Sequence, residues 1–177
     1  MLQRRAFLFK SLALPASLGA AASLSACGFR PLLQRVDGDN VRAKLAAVEV
    51  TGIGGRLGQQ LRTALEDNLD PTSAGTPRRY ELDIKLTNTN SALAIQLDNT
   101  ITRTNLTLTA GFVLRDRENQ EIVYRSTVQR VASFNVRRAP FATLTARQDA
   151  ERRAAKEIAD DIRTLLALHF QRQAKTA

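Results

Sequence analysis

The stretch Tyr80-Glu81-Leu82-Asp83-Ile84-Lys85-Leu86 alternates apolar and charged residues without a break. Side chains along a strand point to opposite faces, so this period of two predicts a strand with one buried and one wet face. Leu93, Ile95 and Leu97 then fall on odd positions. A one-residue slip turns a core face outward, so the change of phase predicts a bulge or bend around Asn88 to Asn90. Asp98-Asn99-Thr100 reads as a turn. The next strand runs from about Ile101 to Arg115, with Leu106, Leu108, Ala110, Phe112 and Leu114 on one face. Its other face carries Arg103, Asn105, Thr107 and Thr109. Asp116 to Gln120 makes a polar hairpin loop, and Ile122, Tyr124 and Val128 continue the apolar face to about Phe134. Arg125, Thr127 and Gln129 lie opposite.

Upstream of these three strands, Leu45-Ala46-Ala47-Val48-Glu49-Val50 reads as a mostly apolar first strand. Thr51-Gly52-Ile53-Gly54-Gly55 breaks it, and a helix follows with Leu57, Leu61, Ala64, Leu65 and Leu69 on one stripe. Asp70-Pro71 stops that helix, and Thr72 to Pro77 is a loop. Downstream, a long helix is expected from about Thr143 to Phe170. Ala150, Ala154, Ile158, Ile162, Leu165, Leu166 and His169 form its stripe, with Arg152, Arg153, Lys156, Asp160 and Arg163 outside. The order β-α-β-β-β-α predicts an α+β fold, a two-layer α/β sandwich: a four-stranded mixed sheet with two helices on one face. The other face stays polar.

The N-terminus is an address. Arg4, Arg5 and Lys10 precede a short apolar run, and Leu24-Ser25-Ala26-Cys27 closes it with small residues before the chain's one cysteine. That is the arrangement of a bacterial lipoprotein signal, cut before a cysteine whose sulfur carries lipid. The apolar run is well under the ~20 residues a spanning helix needs. Arg4-Arg5-Ala6-Phe7-Leu8 also resembles a twin-arginine signal, and arginine pairs are common in ordinary leaders, so the export route stays open. Gly28 after the cysteine, in place of aspartate, favours the outer membrane. The expected division is a signal peptide over 1–26, a lipidated N-terminus and tether over 27–44, one domain over 45–171 and a tail over 172–177. Lipidation falls on Cys27.

Three of the chain's 26 basic residues and none of its 17 acidic ones lie in the leader, so the formal charge of +9 becomes +6 after cleavage. Arginine dominates that charge and pairs well with phosphates and carboxylates, which implies an anionic partner. Export argues against nucleic acid, and so does the aromatic pattern. There is no tryptophan, and no aromatic cluster sits among the arginines to stack bases. Catalytic equipment is sparse. His169 is the one histidine, so with a lipidated cysteine there is no zinc-ligand set. No G-x-S-x-G elbow is present, and Gly52-x-Gly54-Gly55 lacks both the dinucleotide and P-loop spacings. Asp160 and Asp161 are adjacent on a helix and diverge by about 100°, which does not pair an acid with a base. The sequence predicts a protein that is not an enzyme and needs no cofactor or metal.

The start Cys27-Gly28-Phe29-Arg30-Pro31-Leu32 resembles that of the LPS-assembly lipoprotein LptE family. The likeness extends through Ala132-Ser133-Phe134-Asn135, Pro140-Phe141-Ala142 and the helix around Asp149-Ala150-Glu151-Arg152-Arg153. It implies an outer-membrane lipoprotein that plugs an LptD-type β-barrel and helps place lipopolysaccharide in the outer leaflet. It also implies that basic residues on strands and loops bind the glycolipid. Placement on the polar face and in the adjoining loop nominates Arg103, Arg125, Arg137 and Arg138. The alternative is an auxiliary lipoprotein of an ABC-type envelope lipid transporter.

Overall fold

A computed structural model describes residues 41–69, 77–95 and 101–176. The leader, Cys27, the tether as far as Asn40, most of the loop after Asp70 and the turn at Asp98-Asn99-Thr100 lie outside the described residues. The elements are α1 (Val41–Ala46), β1 (Val48–Val50), α2 (Gly55–Leu69), β2 (Tyr80–Ile95), β3 (Ile101–Asp116), β4 (Ile122–Asn135) and α3 (Pro140–Thr176). The sheet order is β1-β2-β3-β4, with β1 parallel to β2 and the remaining pairs antiparallel. This is the mixed four-stranded α+β fold that the strand periods require.

Tyr80, Leu82 and Ile84 of β2 are buried, as are Leu106, Leu108, Ala110, Phe112 and Leu114 of β3 and Val128 of β4. Those even-numbered positions share one face, and α2 and α3 close over it in a single core. Leu61, Leu65 and Leu69 supply the stripe of α2. On α3 the stripe is wider than expected: Ala155, Ala159, Ala167 and Phe170 are buried beside Ala150, Ala154, Ile158, Ile162 and Leu166. The alanines permit close approach to two neighbours at once, the sheet and α2, and a helix in that position needs apolar residues over a broad arc.

The turn into α2 depends on two glycines. Gly55 has φ +80°, a backbone conformation that costs an L-residue energy. A Cβ on Gly58 would lie 2.7 Å from the Ile53 backbone oxygen. The glycine-rich segment is thus a tight strand-to-helix connection.

Three expectations require correction. Leu45 and Ala46 belong to the helix α1, leaving β1 only three residues. Val41 and Leu45 are one helical turn apart and both buried, so residues 41–44 belong to the folded domain rather than to the expected tether. The long helix runs on from Pro140 to Thr176, and Ala174 is still buried, so residues 172–176 are helix rather than tail. Proline suits its first position, where no intrahelical bond is lost.

The third correction concerns the phase change. The β2–β3 register is unbroken from Tyr80↔Asp116 to Ala92↔Thr104, and irregularity comes only between Ala92 and Ile95. The cause of the polar Thr87-Asn88-Thr89-Asn90 run is different. β1 pairs only with Tyr80 to Leu82, so among the described residues β2 is an edge strand beyond that point, and residues 87–93 are exposed. Opposite Asn88 and Asn90, Leu108 and Leu106 remain fully buried. An exposed edge is under no demand to alternate, and polar residues there discourage pairing with other chains.

Candidate functional site

The face of the sheet away from the helices is built in cross-strand rows. Lys85, Gly111 and Thr127 form one; Thr87, Thr109 and Gln129 the next; then Thr89, Thr107 and Val131, and finally Ser91, Asn105 and Ser133. Within the last, Ser133 Oγ donates to Asn105 Oδ1 at 2.6 Å. Hydroxyls and amides thus line most of its length, and the charged residues collect at one end, with Glu81, Asp83, Arg115 and Arg125.

The four nominated arginines do not form one site. Arg103 and Arg125 share the polar face, but their β3 rows are ten residues apart, about 33 Å at ~3.3 Å per residue. Arg125 belongs to the end of the sheet that holds Tyr80 and Asp116. Arg103 lies at the distal end, paired with Asn135, and Val136 N donates to Thr102 O at 3.0 Å. Arg137 and Arg138 follow directly in the loop into α3. Thr143 fixes that loop: its Oγ accepts from Arg137 N at 2.9 Å and donates to Arg137 O at 3.0 Å. Register and chain continuity therefore bring Arg103, Arg137 and Arg138 to the distal end together.

Acidic residues are sparse in the sequence around them, Asp98 being the one between residues 84 and 115. Residues 84–97, 99–115 and 122–148 contain no aspartate or glutamate. Several arginines elsewhere are neutralised: Arg62 by Glu66, Arg117 by Glu49, and Arg130 by Asp161 through bonds of 2.6 and 2.5 Å. The hydrogen bond that Arg130 donates to Asp161, with that carboxylate's charge, raises the Arg130 pKa above its usual value. Among the described residues, the guanidinium groups of Arg103, Arg137 and Arg138 have no such partner.

Three apolar side chains at this end were not legible as site residues. Phe141 is 80% exposed, and Leu144, one turn on, is also exposed. Leu93 is exposed at the β2 irregularity, beside the row of Arg103. The available signal was position: Phe141 and Leu144 precede the buried stripe that starts at Ala150, with nothing in the sequence to cover them.

His169 sits at the core edge. Its ring stacks on Tyr124 with centroids 4.6 Å apart and 23° between planes. Burial pushes its pKa below the ordinary value, helped by the charges of Arg172 and Lys44, so the ring is neutral at pH 7. Two concavities, of about 440 and 670 Å³, flank α2. The first holds the Arg62–Glu66 pair, and the second is lined by Arg56, Thr63, Asp67 and Lys156, with no nucleophile and base set together. Among the described residues no three His, Cys, Asp or Glu side chains cluster as a metal site.

A long polar-faced sheet backed by two helices, basic and apolar at one tip, defines a binding module. The LptE family of lipopolysaccharide-assembly proteins matches residues 44–166. A lipoprotein from Caulobacter crescentus, known from its crystal structure, is 30% identical over 72% of this chain and 93% of its own, with a TM-score of 0.61. A minor lipoprotein from Acinetobacter baumannii is 21% identical, covering 68% of this chain and 88% of its own, with a TM-score of 0.47. Rare lipoprotein B from Shewanella oneidensis is 15% identical over 73% and 92%, with a TM-score of 0.47. No curated protein matches the chain. The chain belongs to the LptE family, and with it to lipopolysaccharide assembly.

Proposed function

We propose that this chain is a non-catalytic outer-membrane lipoprotein, acylated on Cys27, that associates with an LptD-type β-barrel and assists insertion of lipopolysaccharide. The observation that carries the reading is the row structure of the open face. From the Lys85 row to the Ser91 row it presents mainly hydroxyl and amide groups, with Lys85 its one charge and Val131 its one exposed aliphatic side chain. Such groups exchange hydrogen bonds with water or with another polar wall at little cost, which suits the water-lined lumen of a barrel. A sheet meant for a second hydrophobic layer would carry aliphatic residues there. Two or three acyl chains on Cys27, at ~0.8 kcal/mol per buried CH₂, would keep the module stably at the membrane.

Within this reading, Arg103, Arg137 and Arg138 are the residues that meet lipopolysaccharide phosphates, since none of the three has a carboxylate partner among the described residues. Arg125, at the other end of the face, is a separate candidate. Gentle detergent extraction followed by affinity purification tests the assignment. The expected result is co-purification with a large β-barrel. Recovery as a solitary monomer, or with an inner-membrane ABC-type complex, would refute it.

A further inference from the structure

The distal end combines two properties that occur separately elsewhere on the molecule. Phe141 and Leu144 stand exposed on the first turns of α3, and Leu93 is exposed on β2 near the row of Arg103. Arg103, Arg137 and Arg138 surround this end without ion-pair partners among the described residues. The clamp of Thr143 on Arg137 holds the arginine loop against the helix start, so the two sets are presented jointly. An exposed phenylalanine in water is unfavourable, and the three arginines at the same end have no ion-pair partner among the described residues. An anionic surface with an apolar interior relieves both: the guanidiniums bind phosphates while the rings and aliphatic chains enter the acyl layer.

Position adds to the argument. The chain enters the fold through α1, whose exit carbonyl Ala47 O accepts from Tyr80 N at 3.0 Å. That is the opposite end of a β3 strand of 16 residues, about 50 Å long at ~3.3 Å per residue. The tip and the point where the described chain begins thus lie at opposite ends of the sheet.

We infer that the tip formed by Leu93, Phe141 and Leu144 with Arg103, Arg137 and Arg138 is a second membrane contact, inserting into a bilayer with anionic phosphate headgroups. This rests on reading the arginines as anion-binding, and it needs neither a barrel nor lipopolysaccharide.

The test uses the chain from Gly28 onward, which holds every described element and buried residue but no lipidated cysteine. Its partners are vesicles of phosphatidylglycerol mixed with phosphatidylcholine, and of phosphatidylcholine alone. Binding to the mixed vesicles and much weaker binding to the neutral ones is expected. The substitutions Phe141→Ser and Leu144→Ser together should weaken binding by about tenfold or more, and Arg137→Glu with Arg138→Glu by at least as much. Both pairs are exposed, and an unchanged circular dichroism spectrum verifies folding. The chain has no tryptophan, so Phe141→Trp supplies a single fluorophore. Its emission should shift to the blue on binding and be quenched by brominated acyl chains. Absence of binding, binding without quenching, or full binding by the serine pair would each overturn the inference. None of these outcomes bears on co-purification with a barrel, so the assembly reading stands or falls separately.

Discussion

Arg56 of α2 and Glu151 of α3 are joined by a direct ion pair across the helix interface, and the Glu151 side chain keeps only 4% of its exposure. A second arginine, Arg147, reaches the other carboxylate oxygen at 3.0 Å from one turn before it on α3. Both arginines remain about half exposed. The carboxylate is the group that has lost water, and two cations replace its hydration.

Removing either arginine alone leaves the carboxylate one partner. We expect Arg56→Ala and Arg147→Ala each to cost about 1 kcal/mol, and the double substitution about 3–5 kcal/mol because the buried charge is then uncompensated. Urea unfolding of the four proteins in a double-mutant cycle measures the coupling. A purely additive result would show that water reaches Glu151 and that the pair contributes little.

Gly58 lies inside α2, where alanine ordinarily stabilises a helix by about 1 kcal/mol over glycine. Here the sign should reverse. The added Cβ would approach the Ile53 oxygen and Cγ2 to 2.7 Å, and backbone cannot move aside without shifting the helix off β1. Gly58→Ala is expected to destabilise by about 1–3 kcal/mol, read as a lower denaturation midpoint. An unchanged or higher midpoint would mean that the strand-to-helix turn is looser than its geometry.

These residues also mark where sequence reading stops. The alternation from Tyr80 to Leu86 and the spacing of Leu61, Leu65 and Leu69 follow from local geometry, so strands, helices and their inward faces were legible. So was the polar face, because the same period that buries Leu106 turns Asn105 to the opposite face. The Arg56–Glu151 pair joins residues 95 positions apart, and nothing local announces it. Edge status was equally hidden. Thr87 to Asn90 look like a register slip until the shortness of β1 leaves that part of β2 with β3 as its one neighbour among the described residues. For the site, the absence of carboxylates over 122–148 was readable, whereas the separation of Arg125 from Arg103 required the strand register.

Stability should fall as the pH drops below about 6.5, the ordinary histidine value. His169 is held neutral in the fold by burial and by the charges of Arg172 and Lys44, so its folded pKa lies below its unfolded one. Between those two values the unfolded chain binds a proton that the native one refuses, and the native state loses ground as pH falls. The ring faces Tyr124 from β4 and Phe170 from its own helix, and Nε2 has no hydrogen-bond partner among the described residues. Thermal melts from pH 8 to pH 5 should show this slope, and His169→Phe should flatten it. Equal slopes in both proteins would assign the acid sensitivity to the carboxylates.

The last expectation separates the two ends of the polar face. If lipopolysaccharide phosphates bind at the distal end, reversing Arg137 and Arg138 to glutamate removes two cations and adds two repulsive charges. Charge-assisted contacts of this kind contribute roughly 1.5–3 kcal/mol each, so affinity should drop by more than about tenfold. Arg125→Glu, about 33 Å away by strand rise, lies beyond several Debye lengths at physiological salt and should leave affinity nearly unchanged. Arg103→Glu should behave like the loop pair, because Arg103 sits across from Asn135 at the loop's root. Binding of purified lipopolysaccharide to the three variants, compared at two salt concentrations, checks the division. A loss confined to Arg125→Glu would move the glycolipid to the opposite end of the sheet.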